Sequence, residues 1–340
     1  MVSLLRKLLK KFVAKNMRKA LLIGINNYPR GKELKGCIED INDVRAVLEK
    51  NGDGSDNFDI EMLPDVQTKR EAMQSIRHLF DGDGEMSILY FSGHGYVNDT
   101  DAELAFPDGV SHNDYYYGIK MSDIMGIVHR SKVRNKIIIL DCCHSGALGK
   151  FHLNHNESLI GPGVSVLSAC REHEVAVEHS GHGIFTIQLC NALAGGAADF
   201  CGNITIGGIY AFIDRVFGPH EQRPTFKTNV TEFAPIRKVN PKVSIDIIKL
   251  LTSFFNHSTD EFLLDPSFEF DNTPDKPTSV KPYAVDENVK KFKALQQLAS
   301  IGFVAPTGEE HMYYAAMNHK SCHLTNVGRY YWELVKNNQL

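Results

Sequence analysis

Two segments hold the side chains best suited to chemistry. In Ser87-Ile-Leu-Tyr-Phe-Ser-Gly-His94-Gly95 an apolar run leads straight into a Gly-His-Gly turn. A strand there leaves the imidazole at its carboxyl end, and the flanking glycines let a second backbone approach closely. In Lys136-Ile-Ile-Ile-Leu-Asp141-Cys142-Cys143-His144-Ser145-Gly146 a second apolar run ends abruptly in acid, thiol and imidazole. A thiol at a strand end, with a glycine-containing turn beyond it, sits where it can ionise. A nearby imidazole then holds it as thiolate or takes its proton during attack. Alone, each segment has a bland reading: a structural histidine, and a buried inert cysteine. Together in one sheet they point to a Cys-His pair doing nucleophilic catalysis. Zinc is the competing use of Cys142, Cys143 and His144, but adjacent ligands rarely close a tetrahedron and no CxxC or HxxxH pair accompanies them.

The elements needed to position these groups are legible around them. Ala20–Ile25, Phe58–Leu63, Ser87–Phe91, Lys136–Leu140 and Val164–Ser168 read as strands. The segments 37–51, 68–80, 121–129, 184–194 and 204–216 carry apolar residues at helical spacing. Strands alternating with helices predict a mainly parallel sheet covered on both faces, an α/β class. Reactive groups in such sheets sit outside the carboxyl ends of the strands, where His94 and the adjacent thiols of Cys142 and Cys143 fall.

Length and composition agree with this. The chain has 340 residues, 43% hydrophobic and 23% charged, which suits a sizeable globular domain plus a smaller one. A formal net charge of −4 argues against a chain built to coat nucleic acid or anionic membrane. No apolar run is long enough to span a bilayer. Seven irregularly spaced cysteines, with no secretory leader before them, read as reduced thiols in a cytoplasmic protein.

Four regions are expected. Residues 1–18 form a basic amphipathic segment, with Leu4, Leu5, Leu8, Leu9, Phe12 and Val13 on one helical face. A membrane-surface or partner helix, an organellar presequence, and a helix packed on the main domain are its competing readings. Residues 19–235 form the main domain. Residues 236–283, with Pro241, Pro266, Pro274, Pro277 and Pro282 and an acid cluster, read as a linker carrying one helix near Ile245–Phe255. Residues 284–340 read as helix, two-stranded wing and final helix, with Met312–Met317 as the second strand. Seven Lys or Arg against five acids in 281–340 is too weak a bias for a DNA-reading surface, so protein docking is the better use of this winged-helix-like tail.

The chain resembles the caspase-like cysteine peptidases. The resemblance rests on Tyr90-Phe-Ser-Gly-His-Gly95 and Asp141-Cys-Cys-His-Ser-Gly146. It extends through Ala20-Leu-Leu-Ile-Gly-Ile-Asn-Asn-Tyr28, Lys35-Gly-Cys37-Ile-Glu-Asp40, Val166-Leu-Ser-Ala-Cys170 and Gly183-Ile-Phe-Thr-Ile-Gln188. Caspases proper carry Gln-Ala-Cys-[Arg/Gln/Gly]-Gly at the nucleophile and cleave after Asp. Asp-Cys-Cys-His-Ser-Gly resembles the metacaspase and paracaspase branch instead, in a prokaryotic form.

The resemblance implies a three-layer α/β/α sandwich, a catalytic dyad of His94 and Cys143, and an oxyanion site at the backbone N–H groups of Gly95 and Cys143. It implies that Asp40 and Asp141, with Ser92 at the rim, line an S1 pocket for Arg or Lys. It also implies processing in the loop 147–163, where Lys150 is the basic residue. Many metacaspases need calcium. Here Asp99, Asp101, Glu103, Asp108 and Asp114 follow the histidine without calcium-loop spacing, so no cofactor is expected. A protein substrate with a basic P1 residue is the expected partner, and analogy suggests a bacterial defence or programmed-death setting. The competing reading is an inactive adaptor, or a DNA- or protein-binding regulator, acting through 284–340.

Overall fold

The computed structural model describes residues 17–29, 31–97, 101–109, 118–142, 160–169, 178–179, 182–217, 223–230 and 233–340. The basic segment at 1–16 lies outside them. The chain divides into two units, one built from residues up to 199 with 203–239, the other from 200–202 and 240–340.

In the first unit the order is β1 (Arg18–Gly24), α1 (Cys37–Leu48), β2 (Asp59–Pro64), α2 (Lys69–Leu79), β3 (Met86–Ser92), β4 (Gly95–Val97), β5 (Ala102–Leu104), β6 (Ile119–Lys120) and α3 (Met121–Arg130). There follow β7 (Asn135–Asp141), β8 (Val164–Ser168), β9 (Glu178–His179), β10 (His182–Gly183), α4 (Ile184–Asn191), β11 (Asn203–Ile204), α5 (Ile206–Val216), β12 (Thr225–Asn229) and β13 (Arg237–Lys238). The main sheet runs β12-β8-β7-β3-β1-β2, parallel throughout except for β12 at the edge. Side chains alternate across a strand, so near-continuous apolar strands must be covered on both faces. Leu21, Ile23, Leu89, Phe91, Ile138 and Leu140 point to one cluster, which takes Ala72, Ile76 and Leu79 of α2 and Ile124 and Val128 of α3. Ala20, Leu22, Ile88, Tyr90, Ile137 and Ile139 point to the other, with Ile41 and Val44 of α1, Phe185 and Leu189 of α4 and Ile209 and Ile213 of α5. The result is a three-layer α/β/α sandwich.

At the carboxyl end of β1 the packing is tight. A Cβ on Gly24 would lie 2.3 Å from the Cys37 carbonyl oxygen, so the strand end and the start of α1 meet only because residue 24 has no side chain. Gly24→Ala should destabilise the protein by about 1–3 kcal/mol through overpacking. A urea midpoint unchanged from wild type would show that α1 shifts without penalty.

The second unit departs from the sequence expectation in two places. Residues 236–283 do not behave as a linker. From 245 they form α6 (Ile245–Lys249), α7 (Leu251–Phe254) and β14 (Glu261–Leu263), and Val243, Ile248, Leu251, Phe255, Leu264 and Phe268 are core residues of this unit. The helix expected at 245–255 is thus two short ones. Pro266 opens a short 3-10 helix (Pro266–Phe268), a position that needs no N–H, and the other four prolines sit between elements. The unit continues with α8 (Asp286–Ser300), β15 (Val304–Pro306), α9 (Met312–Met317), β16 (Ser321–Leu324) and α10 (Asn326–Lys336). Met312–Met317 is therefore helical, and the strand falls at 321–324. Its buried residues are Met312, Ala315 and Ala316, at i, i+3 and i+4, while Tyr313 and Tyr314 face solvent. β16 pairs antiparallel with β14 on one side and β15 on the other. A three-stranded sheet with a helix between its strands replaces the expected two-stranded wing.

Candidate active site

Strands β3 and β7 lie side by side, and their parallel register ends on Ser92 opposite Asp141. Two residues beyond Ser92 in the sequence is His94; two residues beyond Asp141 is Cys143. Cys143, Lys150, Asp99 and Asp114 lie outside the described residues, as does most of the loop 147–163. The Gly93 N–H donates to the Asp141 carbonyl at 3.3 Å, extending the contact of the two strand ends past the register itself.

His94 is held from several sides. Its Nε2 lies 2.8 Å from the Lys32 carbonyl oxygen. A carbonyl can only accept, so Nε2 carries the proton, and in the neutral ring Nδ1 is the basic nitrogen. The Tyr28 ring packs 4.6 Å from the imidazole and Tyr96 lies 6.2 Å away, centroid to centroid. The Tyr28 hydroxyl accepts the His94 N–H at 3.0 Å and donates to the Ala105 carbonyl at 3.3 Å. Burial pushes this phenol well above its ordinary pKa, so it remains a donor. Ala105 N–H returns a bond to the His94 carbonyl at 2.9 Å. Gly93 is required here, since a Cβ would fall 2.5 Å from the Tyr28 hydroxyl. Sequence reasoning found no third group to orient the imidazole. The structure supplies a backbone carbonyl, which leaves no mark on side-chain identity, and Tyr28, 66 residues earlier in the chain. Gly95 opens β4 and pairs with Leu104.

The two carboxylates selected from the sequence converge on one residue that was not selected. Asp40 Oδ1 accepts the Gly183 N–H at 3.2 Å, and Asp40 Oδ2 accepts the Ser92 hydroxyl at 2.9 Å. Asp141 Oδ2 would stand 2.2 Å from a Cβ on Gly183, and it accepts the Thr186 hydroxyl at 2.6 Å. Gly183 ends β10 and immediately precedes α4, so both acids stand at the amino end of that helix. They are 2% and 6% exposed, and Ser92, Thr186 and the Gly183 N–H donate to them. The negative field shows in the neighbours. Tyr90, deeply buried, is pushed well above its ordinary pKa first by burial and then by Asp141 and Asp40. Burial, with Asp43 and Asp40 behind it, pushes the Cys190 thiol up to about 12. Ser92, Asp40 and Asp141 are thus brought together, with Gly183, Thr186 and Tyr90 added to them.

Cys142, the neighbour of the candidate nucleophile, is 3% exposed and packs in the β-sheet core beside α2 and α3. Three of the acids weighed as calcium ligands make local hydrogen bonds. Asp101 Oδ2 accepts the Ser122 hydroxyl at 2.5 Å, at the start of α3. Glu103 accepts the Gly118 N–H at 2.7 Å, and Asp108 accepts the Lys69 N–H at the start of α2. Among the described residues no three acid, histidine or cysteine side chains are grouped to hold a metal ion. No helix among them is long and apolar enough to cross a membrane.

The family described as Caspase domain matches residues 17–234. Metacaspase-1 of Mycosarcoma maydis is 30% identical over 147 residues, covering 38% of this chain and 36% of that protein. Metacaspase-1B of Aspergillus fumigatus is 33% identical over 146 residues, covering 38% and 35% respectively. The chain therefore spans about a third of the length of these curated relatives. The crystal structure of caspase-1 from Spodoptera frugiperda superposes with a TM-score of 0.50 at 15% identity, over 66% of this chain and 93% of that one, and so shares the fold. With the match covering the six-stranded sheet, the helices on both its faces and both strand-end motifs, the chain belongs to the caspase-domain family.

Proposed function

We propose that this protein is a cysteine endopeptidase that cleaves polypeptides after arginine or lysine, with Cys143 as nucleophile and His94 as its base and acid. The observation that carries this reading is the register of β3 and β7, from whose paired ends His94 and Cys143 each follow by two residues. His94 Nδ1 takes the thiol proton as Cys143 sulfur attacks the scissile carbonyl carbon. The resulting oxyanion is received by the N–H groups of Gly95 and Cys143. Collapse breaks the C–N bond, and the imidazolium gives its proton to the leaving amine. Water, deprotonated by the same imidazole, then releases the acyl group and restores the thiol. The Lys32 carbonyl keeps the ring in the right tautomer and supports the imidazolium.

Basic P1 preference is supported by Asp40 and Asp141 meeting at Gly183, with Ser92 holding Asp40 from the β3 side. Two carboxylates favour a guanidinium or ammonium and repel an acidic side chain by several kcal/mol. Lys150 offers a matching site for self-cleavage. No step passes through a metal ion. The irregular spacing of the seven cysteines supports a reducing, cytoplasmic setting. A bacterial defence or programmed-death role rests on analogy with other small peptidases that carry an extra unit.

The test is turnover of fluorogenic peptides that differ only at P1 (Arg, Lys, Asp, Asn), with and without calcium. Arg and Lys peptides should exceed the Asp peptide by at least about 10²-fold in kcat/KM. Preference for Asp would overturn the acid-pair assignment. Silence on all four peptides in both conditions would overturn the peptidase reading.

A further inference from the structure

Two residues of one loop, 25–36 between β1 and α1, hold His94: Tyr28 by its ring and hydroxyl, Lys32 by its carbonyl. A loop carbonyl is only as well placed as the loop that carries it. Part of that placement comes from Asp65, the first residue after β2. Asp65 Oδ1 accepts the backbone N–H groups of Asn26 at 2.7 Å and Asn27 at 2.9 Å, and Oδ2 accepts the Asn27 side-chain amide at 2.7 Å. Its own N–H donates to the Gly24 carbonyl at 2.7 Å, so one residue grips the chain on both sides of residue 25. The grip uses a left-handed backbone, φ +50° at Asp65, which Asp and Asn tolerate better than other side chains. Asn26 passes it on. Its carbonyl accepts the N–H groups of Tyr28 at 3.1 Å and Leu34 at 2.9 Å. Its Oδ1 accepts the Cys37 N–H at 2.9 Å, and its Nδ2 donates to the Lys35 carbonyl at 3.3 Å. The loop is thus tied, at its entry and its exit, to the residue that Asp65 holds.

We propose that Asp65 is a positioning residue for His94: its carboxylate fixes Asn26 and Asn27, and through them the loop that sets Tyr28 and the Lys32 carbonyl against the imidazole. This rests on the Cys-His reading above and deepens it, adding a support that touches none of the reacting atoms. A carboxylate suits the task because it only accepts, and three N–H donors converge on its two oxygens. Successive backbone N–H groups turned toward one anion make a fixed concavity. Fixity matters at the far end of the chain of bonds. A partner of Nε2 displaced by about 1 Å leaves the ring free to turn, and a shift of that size can cost about 10²-fold in rate. The P1 acids are held differently. Asp40 and Thr186 belong to α1 and α4, on the other face of the sheet from the cluster that contains Tyr28. Loss of the Asp65 carboxylate should therefore reach turnover and spare the grip on the P1 side chain.

The experiment compares the full chain with Asp65→Gly and Asp65→Asn, using a P1-arginine peptide as substrate and agmatine as a non-cleavable competitor for the P1 pocket. Active sites are counted by stoichiometric labelling of Cys143 with a P1-arginine chloromethyl ketone, so that unfolded protein does not pass for a lower kcat. Asp65→Gly accepts the left-handed turn at no steric cost and removes only the carboxylate. It should lower kcat per active site by about 10–10²-fold. KM and the agmatine inhibition constant should stay within about twofold of wild type. Asp65→Asn keeps the turn and an acceptor for the two backbone N–H groups, but sets its amide against that of Asn27. It should recover most of the loss and end about threefold below wild type in kcat, the worth of one hydrogen bond. If Asp65→Gly does not fold by circular dichroism, Asp65→Asn decides alone. A kcat per active site equal to wild type in the folded variants, or a loss carried by KM and the agmatine constant, would overturn the proposal while the peptidase reading stands. Wild type that prefers another P1 residue would overturn the acid-pair assignment, and the same kcat comparison on that peptide would still decide for Asp65. Wild type that cleaves no peptide, with or without calcium, would overturn both.

Discussion

His94→Ala should lower kcat for a P1-arginine peptide by about 10²–10⁴-fold, the usual worth of a positioned acid–base group. KM should change little, because the imidazole acts on the thiol proton and the leaving amine and does not bind the peptide. Cys143→Ala removes the covalent route itself and should fall to the rate of the uncatalysed background. The double variant should be no worse than Cys143→Ala alone, since groups that act as a unit are strongly non-additive. His144→Ala, which removes the other imidazole of the motif, should stay within about threefold of wild type. The prediction is specific to the way His94 is held. Its Nε2 proton goes to the Lys32 carbonyl and its backbone N–H to Tyr28, so no acidic side chain is needed for tautomer or orientation. Retention of more than a tenth of the activity in His94→Ala, with loss in His144→Ala, would move the base to the neighbouring imidazole and sink the assignment.

What the sequence made legible, and what it hid, follow one physical division. Alternation in Leu21, Ile23, Leu89 and Phe91 against Ala20, Leu22, Ile88 and Tyr90 is written in single side chains, so the two-faced sheet is readable. Strand ends marked by Gly93-His94-Gly95 and Asp141-Cys142-Cys143 are local too. The Lys32 carbonyl is not, because every residue has one and only tertiary placement makes this one functional. Thr186 and Tyr90 read as ordinary helix and strand positions; their meaning arises when α4 packs on the β3 face. Gly183 could be quoted in a motif, but its close approach to two carboxylates could not be inferred. The second unit failed for the opposite reason. Proline and acid content from 236 to 283 suggested a linker, while the apolar residues between the prolines supply much of the core. In 312–317, read as the second strand of a wing, the buried i, i+3, i+4 set of Met312, Ala315 and Ala316 is that of a helix.

The second large effect concerns the acid pair, where activity should fall steeply while stability changes little. Asp141→Asn and Asp40→Asn should each lower kcat/KM for the P1-arginine peptide by about 10²–10³-fold, as expected for removing one charge from a buried charge-assisted contact. Most of the loss should appear in KM, because the P1 cation is gripped in both ground and transition states. Neither substitution need break the internal bonds. Asparagine at 141 still offers an oxygen to Thr186, and at 40 it offers one to the Gly183 N–H while the Ser92 hydroxyl turns to face the amide nitrogen. Each variant should therefore keep its Tm within roughly 2–4 °C of wild type, the shift that about 1 kcal/mol produces in a domain of this size. If instead Tm falls and turnover drops equally for Arg, Lys, Asp and Asn peptides, the two acids serve the fold, and the P1 pocket must be sought elsewhere.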